Sequence, residues 1–234
     1  DVFDASSQTD SVYIALKQGG WSFVGTKQNS ILANNQTFIG YGTVIENAIG
    51  GSNDDTLEGN EFENNLQGQE GSDTLIGGLG NDTYVIDHIN DTIVELTDQG
   101  QDTVKSSITY TLSASVEHLT LVGFNAISGT GNSGNNFMRG NSANNTLDGG
   151  LGADTLFGAE GDDTYIVDDV ADSVTELTDQ GNDTIISSFS YHLGNNLENV
   201  TLVGNTNTNA AGNSLANHLI GNSGNNILSG AEGN

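Results

Sequence analysis

Acidic side chains recur in this chain at fixed intervals. Asp55, Asp73 and Asp91 stand 18 residues apart, Asp82 lies midway between the last two, and Asp102 follows across a two-residue insertion. A second set, Asp154, Asp163, Asp172 and Asp183, repeats the spacing. Asparagine fills the same place at Asn64, Asn136 and Asn145. Ionised carboxylates offer only acceptor oxygens, and oxygen is what a hard cation such as calcium takes, six to eight atoms at about 2.3–2.6 Å. Regular carboxylates beside glycine-rich backbone, whose carbonyls lie open, are therefore candidate calcium ligands.

The elements that must position them can be read from Gly68–Val85, two nine-residue units end to end. Each has glycine at positions 1 and 4, aspartate at 6 (Asp73, Asp82) and a large apolar residue at 8 (Leu75, Tyr84). Thr74-Leu75-Ile76 suffices for a short strand with only its middle side chain inward, because side chains alternate. The six residues before it must turn the chain, which glycine permits. Two units close a coil of two strands and two loops, and coils stack at the strand spacing of about 4.8 Å. An ion between stacked loops reaches both layers, since twice the calcium–oxygen distance is near that spacing; magnesium, at about 2.0–2.1 Å, fits less well.

With those residues in view, the chain resembles the RTX, or haemolysin-type, calcium-binding repeat proteins. The resemblance implies an all-β fold, the parallel β-roll, a right-handed calcium-binding solenoid. It implies an ion between each loop and the loop one coil later. Ligands would be the carbonyls of positions 2 and 4 and the position 6 side chain of the first loop, with carbonyls of positions 1 and 3 and position 6 of the second. Carried onto this sequence, Asp55 pairs with Asp73, completed by carbonyls of Gly51, Asn53, Gly68 and Glu70. Asp73 pairs with Asp91, completed by Gln69, Gly71, Ile86 and His88; Asp154 pairs with Asp172, completed by Gly150, Gly152, Val167 and Asp169. Asp82 pairs with Asp102 and Asp163 with Asp183 if the insertion is absorbed as a bulge. Gly77, Gly78 and Gly80 before Asp82, and Gly149 before Asp154, belong to the same loops. Asn64 with Asp82, Asn136 with Asp154 and Asn145 with Asp163 are one carboxylate poorer. The alternative for every position 6 aspartate is a turn residue without a metal.

Composition bounds the function. Of 234 residues, 31 are acidic and four are Lys or Arg, a formal charge of −27. That argues against nucleic acid, which needs a basic face, and against anionic membrane surfaces. With 32 glycines, no proline and no cysteine, nothing interrupts a β ladder and no disulfide staples it, a task left to bound metal. No apolar run has the length of a membrane span and no signal peptide is visible.

In order, residues 1–49 form an irregular β segment leading into the roll, with strands expected at Ser11–Leu16 and Trp21–Val24 and a turn at Gly19-Gly20. This segment, with Gly42–Gly51, resembles the region that precedes the roll in serralysin-type secreted metalloproteases. Residues 50–104 are a first repeat block, 105–130 a degenerate β connector with strands at Ser107–Leu112 and His118–Val122, and 131–185 a second block. Residues 186–211 are a second connector, and 212–234 start a third block that stops before its aspartate, so a longer parent protein is expected. Blocks and connectors recur with a shift of 81 residues: Glu95–Gly100 maps to Glu176–Gly181 and Thr120–Gly123 to Thr201–Gly204. Thr74, Thr83, Thr92, Thr155 and Thr164 are expected to form an outward ladder.

No H-E-x-x-H or G-x-S-x-G motif occurs, so no catalytic residues are assigned and the chain is not expected to be an enzyme itself. The expectation is a module that folds on several extracellular calcium ions. Resemblance to the RTX family implies that it is secreted, and that it passes through a type I secretion machinery as part of a larger protein. Two alternatives stay open: a non-catalytic part of a secreted metalloprotease or polysaccharide-modifying enzyme, and an adhesion module with polysaccharide as its partner.

Overall fold

The computed structural model describes residues 1–27 and 35–233; residues 28–34 of the leading segment and Asn234 of the third block lie outside them. Each nine-residue unit forms one short strand of two to four residues, and successive units fall alternately into two sheets. The chain divides into two units, residues 1–108 with 113–118, and residues 109–112 with 119–234.

In the first unit, Val2–Asp4, Asn47–Ile49, Asn65–Gln67, Thr83–Ile86 and Thr103–Ser106 pair in that order, all parallel. Val12–Ala15, Thr56–Glu58, Thr74–Ile76 and Thr92–Val94 make the parallel second sheet. The Cα partners advance by 18 residues per coil, as in Thr56↔Thr74↔Thr92. The inward residues Ala48, Leu57, Leu66, Leu75, Tyr84 and Val104 are fully buried. The neighbouring threonines are half-buried or exposed and stack in register, the outward ladder that alternation predicts.

Between Thr83 and Thr103 the register step is 20, yet the ladder stays in phase. The two extra residues sit in the loop, not in a strand bulge. Asp98 takes φ +64° there, and the Leu96 N–H bonds the Gln99 side-chain oxygen at 2.7 Å.

The leading segment is more regular than its lack of glycine repeats suggests. Val2–Asp4 and Val12–Ala15 form a full coil of the roll. The excursion that follows adds two antiparallel strands, Trp21–Val24 and Gln36–Phe38, with Gly19 at φ +78° in the expected turn.

In the second unit, Phe137–Arg139, Thr155–Phe157 and Ser173–Thr175 are parallel neighbours. Opposite them run Tyr110–Thr111, Ser128–Thr130, Thr146–Asp148, Thr164–Val167, Thr184–Ser187, Asn199–Leu202 and His218–Ile220. A third sheet joins Tyr191–His192, Ala210–Ala211 and Leu228–Ser229. The connectors thus keep winding after the glycine pattern fades.

One expectation needs correction: Ser107–Leu112 is not a single strand. The Ser106 hydroxyl donates to the Ile108 carbonyl at 2.8 Å and accepts the Ile108 N–H at 3.2 Å. This side-chain turn competes with the ladder, and only Tyr110–Thr111 is strand.

Both units are all-parallel β-rolls apart from the antiparallel excursion. Among the described residues, no helix is long and apolar enough to cross a membrane.

Candidate metal sites

Position 6 is where loop becomes strand, and its N–H would otherwise lack a partner. The carboxylate one coil later supplies it. Asp73 Oδ1 accepts the Asp55 N–H at 2.8 Å, and Asp91 Oδ1 accepts that of Asp73 at 3.1 Å. On the other loop edge Asp82 Oδ1 takes the Asn64 N–H at 2.7 Å and Asp102 Oδ1 the Asp82 N–H at 2.8 Å. The second unit repeats this: Asn136 N–H to Asp154 (2.7 Å), Asp154 N–H to Asp172 (3.0 Å), Asn145 N–H to Asp163 (2.7 Å) and Asp163 N–H to Asp183 (2.8 Å). The residues paired on sequence spacing are therefore stacked neighbours, including the two pairs that straddle the insertion.

One oxygen of each carboxylate is spent on that bond, and the fate of the other divides the loops. Asp55 Oδ1 and Oδ2 both have donors, the N–H groups of Val12 and Gly51. Asp91 Oδ2 faces the N–H of His88, and Asp172 Oδ2 that of Asp169, each at 3.1 Å. Asp73, Asp82, Asp154 and Asp163 differ: Oδ2 is buried with no hydrogen-bond partner, and each residue is 1% exposed. A buried carboxylate oxygen without a partner is costly. A bound cation removes that cost, so these donors fit calcium.

The loop backbones lie in contact across coils, as shared carbonyl ligation requires. At Gly71, φ is +137° and an added Cβ would stand 2.7 Å from the Asn53 carbonyl carbon and oxygen. At Gly50 it would stand 2.5 Å from the Gly68 oxygen. Gly78 and Gly80 press likewise on the Asn60 and Phe62 carbonyls, Gly150 and Gly152 on those of Asn132 and Gly134. Gly77 and Gly149 leave room for Asp82 and Asp154, whose Oδ2 atoms would collide with any Cβ. Gln69, beside the Gly68 carbonyl, adopts φ +73°. Glu70 is exposed, while the Ile86 carbonyl accepts the Ser107 N–H at 3.0 Å.

Electrostatics point the same way. Burial, reinforced by neighbouring acids, pushes Asp73, Asp82 and Asp183 up to about 7 and Asp154 and Asp163 up to about 6. Asp55 and Asp102 are raised as well, burial again being the main cause. Holding these groups ionised in a fold needs positive charge, and four Lys and Arg residues cannot supply it.

The asparagine loops are built differently. Asn64 Oδ1 accepts the Asn60 N–H of its own loop at 2.7 Å, and Nδ2 donates to the Glu46 carbonyl at 3.1 Å. Asn145 does the same with Asn141 (2.8 Å) and the Ile127 carbonyl (2.7 Å), and Asn226 Nδ2 reaches the Thr208 carbonyl at 2.6 Å. An amide nitrogen thus stands toward the earlier coil's carbonyls and satisfies them by hydrogen bonds, which a carboxylate cannot do.

Sequence reasoning passed over two acidic pairs. Glu117 and Glu198 stand at the strand entry after Asp102 and Asp183 and accept their N–H groups at 2.8 and 2.9 Å. They hold the position 6 place in coils without glycine. Glu95 and Glu176 lie beside the Asp82 and Asp163 loops and accept the hydroxyls of Tyr84 and Tyr165. Preservation of each acid across the 81-residue shift was the available signal.

An all-parallel roll with partnerless carboxylates between stacked glycine loops defines a cation-binding solenoid. Comparison with known families agrees: the RTX calcium-binding nonapeptide repeat (four copies) matches residues 49–84, 130–165 and 211–234. Those three stretches are RTX calcium-binding nonapeptide repeats by this match, and Ca2+ is the ion that fits their acidic loops. No curated protein matches it. The first two matched stretches end at Tyr84 and Tyr165, before Glu95, Asp102, Glu176 and Asp183.

Proposed function

We propose that this chain is a calcium-driven folding module of a larger secreted protein, exported by a type I secretion machinery. The carrying observation is the set of four buried Oδ2 atoms, on Asp73, Asp82, Asp154 and Asp163, that no protein group satisfies. Where calcium is scarce, these carboxylates and a net charge of −27 oppose the fold. Where calcium is plentiful, ions between the loops replace repulsion with ligation. Weak sites suffice outside a cell, with dissociation constants of about 10⁻⁴–10⁻³ M. Folding on the far side would then oppose return of the chain through the export channel. Catalysis, if the parent has it, is assigned to residues elsewhere.

Circular dichroism tests the folding step. In chelator the spectrum should be that of a coil, and millimolar calcium should convert it to strand. A cooperatively folded chain in chelator, unchanged by calcium, refutes the proposal.

A further inference from the structure

In most repeat loops position 1 is glycine, as at Gly68 and Gly77, and the family rule draws only a backbone carbonyl from it. In the two loops with the insertion, position 1 is Glu95 or Glu176. The two extra residues place Asp102 and Asp183 seven residues after that position instead of five. The glutamate turns inward, and Gly77 leaves room for Glu95 Oε1, which an added Cβ would approach to 2.7 Å. Asp82, Glu95 and Asp102 each offer one carboxylate oxygen, all within 4.8 Å of one another, and so do Asp163, Glu176 and Asp183.

Two further observations separate these from an ordinary acidic cluster. Oε2 of Glu95 and of Glu176, like Oδ2 of Asp82 and Asp163, is buried without a hydrogen-bond partner. In the second cluster the burial is nearly complete: Glu176 is 5% exposed, Asp163 and Asp183 1% each. The Tyr84 and Tyr165 hydroxyls hold the opposite oxygen, Oε1, which fixes each glutamate with its free oxygen toward the aspartates.

We infer that Glu95 and Glu176 are side-chain calcium ligands, each completing a three-carboxylate site that Tyr84 or Tyr165 orients. Oxygens within 4.8 Å of one another suit one ion with ligands at about 2.3–2.6 Å. Affinity rises with ligand charge, so these two sites, one per duplicated block, fill before the two-aspartate sites. The inference rests on the calcium reading above.

The test is a titration of the whole chain with calcium and with terbium, reading emission excited through tyrosine, whose rings at 84 and 165 adjoin the sites. Wild type should show a tighter class of two ions with sensitised emission. Glu95→Gln with Glu176→Gln keeps the shape and an acceptor for the hydroxyl but removes the charge; it should weaken that class at least tenfold and spare the weaker class. Tyr84→Phe with Tyr165→Phe should weaken it less. If the glutamine variant folds at no calcium concentration while the phenylalanine variant still folds, the proposal is upheld. If neither folds, single substitutions should each lose half of the tight class. An unchanged tight class, or folding of the glutamine variant at lower calcium than wild type, overturns the proposal: the glutamate is then only a buried charge. Absence of any calcium effect on wild type is a different failure, that of the folding module itself.

Discussion

The carboxylate loops around Asp73 and Asp82 and the amide loops around Asn64 and Asn145 have the same length but opposite hydrogen-bond polarity, and only the carboxylate loops take positive φ, at Gln69, Gly71, Gly78 and Gly80. Aspartate accepts the N–H of the residue 18 before it, as from Asp55 to Asp73. Asparagine donates to a carbonyl 18 residues before it, as from Asn145 to Ile127. A carboxylate has no donor, so its second oxygen is stranded once the glycine loops close over it; an amide satisfies both ends. The fold is thus closed by protein alone at asparagine, whereas at Asp73, Asp82, Asp154 and Asp163 one buried oxygen is left without a protein partner. On the calcium-folding proposal, neighbouring coils of one ladder would differ in calcium dependence according to one atom of one side chain.

Exchanging the two chemistries should break that distinction. Asp73→Ala is expected to have the largest effect. It removes the acceptor for Asp55 and a carboxylate facing two stacked loops, and should raise the calcium midpoint of folding severalfold. Asn64→Ala leaves its buried loop partners unsatisfied, at about 1–3 kcal/mol. It should lower stability at saturating calcium with little change in the number of ions taken up. Calcium titrations followed by circular dichroism, with chemical denaturation at fixed calcium, separate the two. Equal midpoint shifts contradict the polarity argument.

Acidity should act next. The pKa values of Asp73, Asp82, Glu95 and Asp183 are raised to about 7 in the fold, against about 4 in an unfolded chain. A raised value means the fold holds these protons more tightly. Metal-free stability is therefore fullest below about pH 4 and is lost as pH rises through about 7. In chelator, strand content should increase on acidification from pH 7.5 to 5. Calcium affinity should fall over the same range, because each ion must displace protons. A metal-free chain that loses strand content over that range would show that the buried carboxylates are not what opposes folding.

The smallest effect sharpens the comparison. Asn145→Asp deletes the donor to the Ile127 carbonyl and introduces a carboxylate below Asp163. It should add calcium dependence where there was none, seen as a higher ion stoichiometry by calorimetry and weaker folding in chelator. A stoichiometry equal to that of wild type would mean that the carboxylate alone does not define a site.

Much of this molecule is readable from the chain itself. The glycine period, the position 8 apolar residues and the 18-residue step specify a stacked coil because each is a local demand: a turn without Cβ, one inward side chain, one strand. Calcium as the ligand follows from oxygen-only donors at the layer spacing. Where those local marks fade, sequence stops short. Val2–Asp4 and Val12–Ala15 join the roll through pairing with residues more than 40 positions away, a non-local fact. Glu117 takes an aspartate's place without any glycine to announce it. Which carboxylates keep a stranded oxygen, and that Glu95 turns inward under the Tyr84 hydroxyl, was decided only when stacking excluded water from the loops. Burial depends on what lies one coil above and below, and only the folded stack determines that.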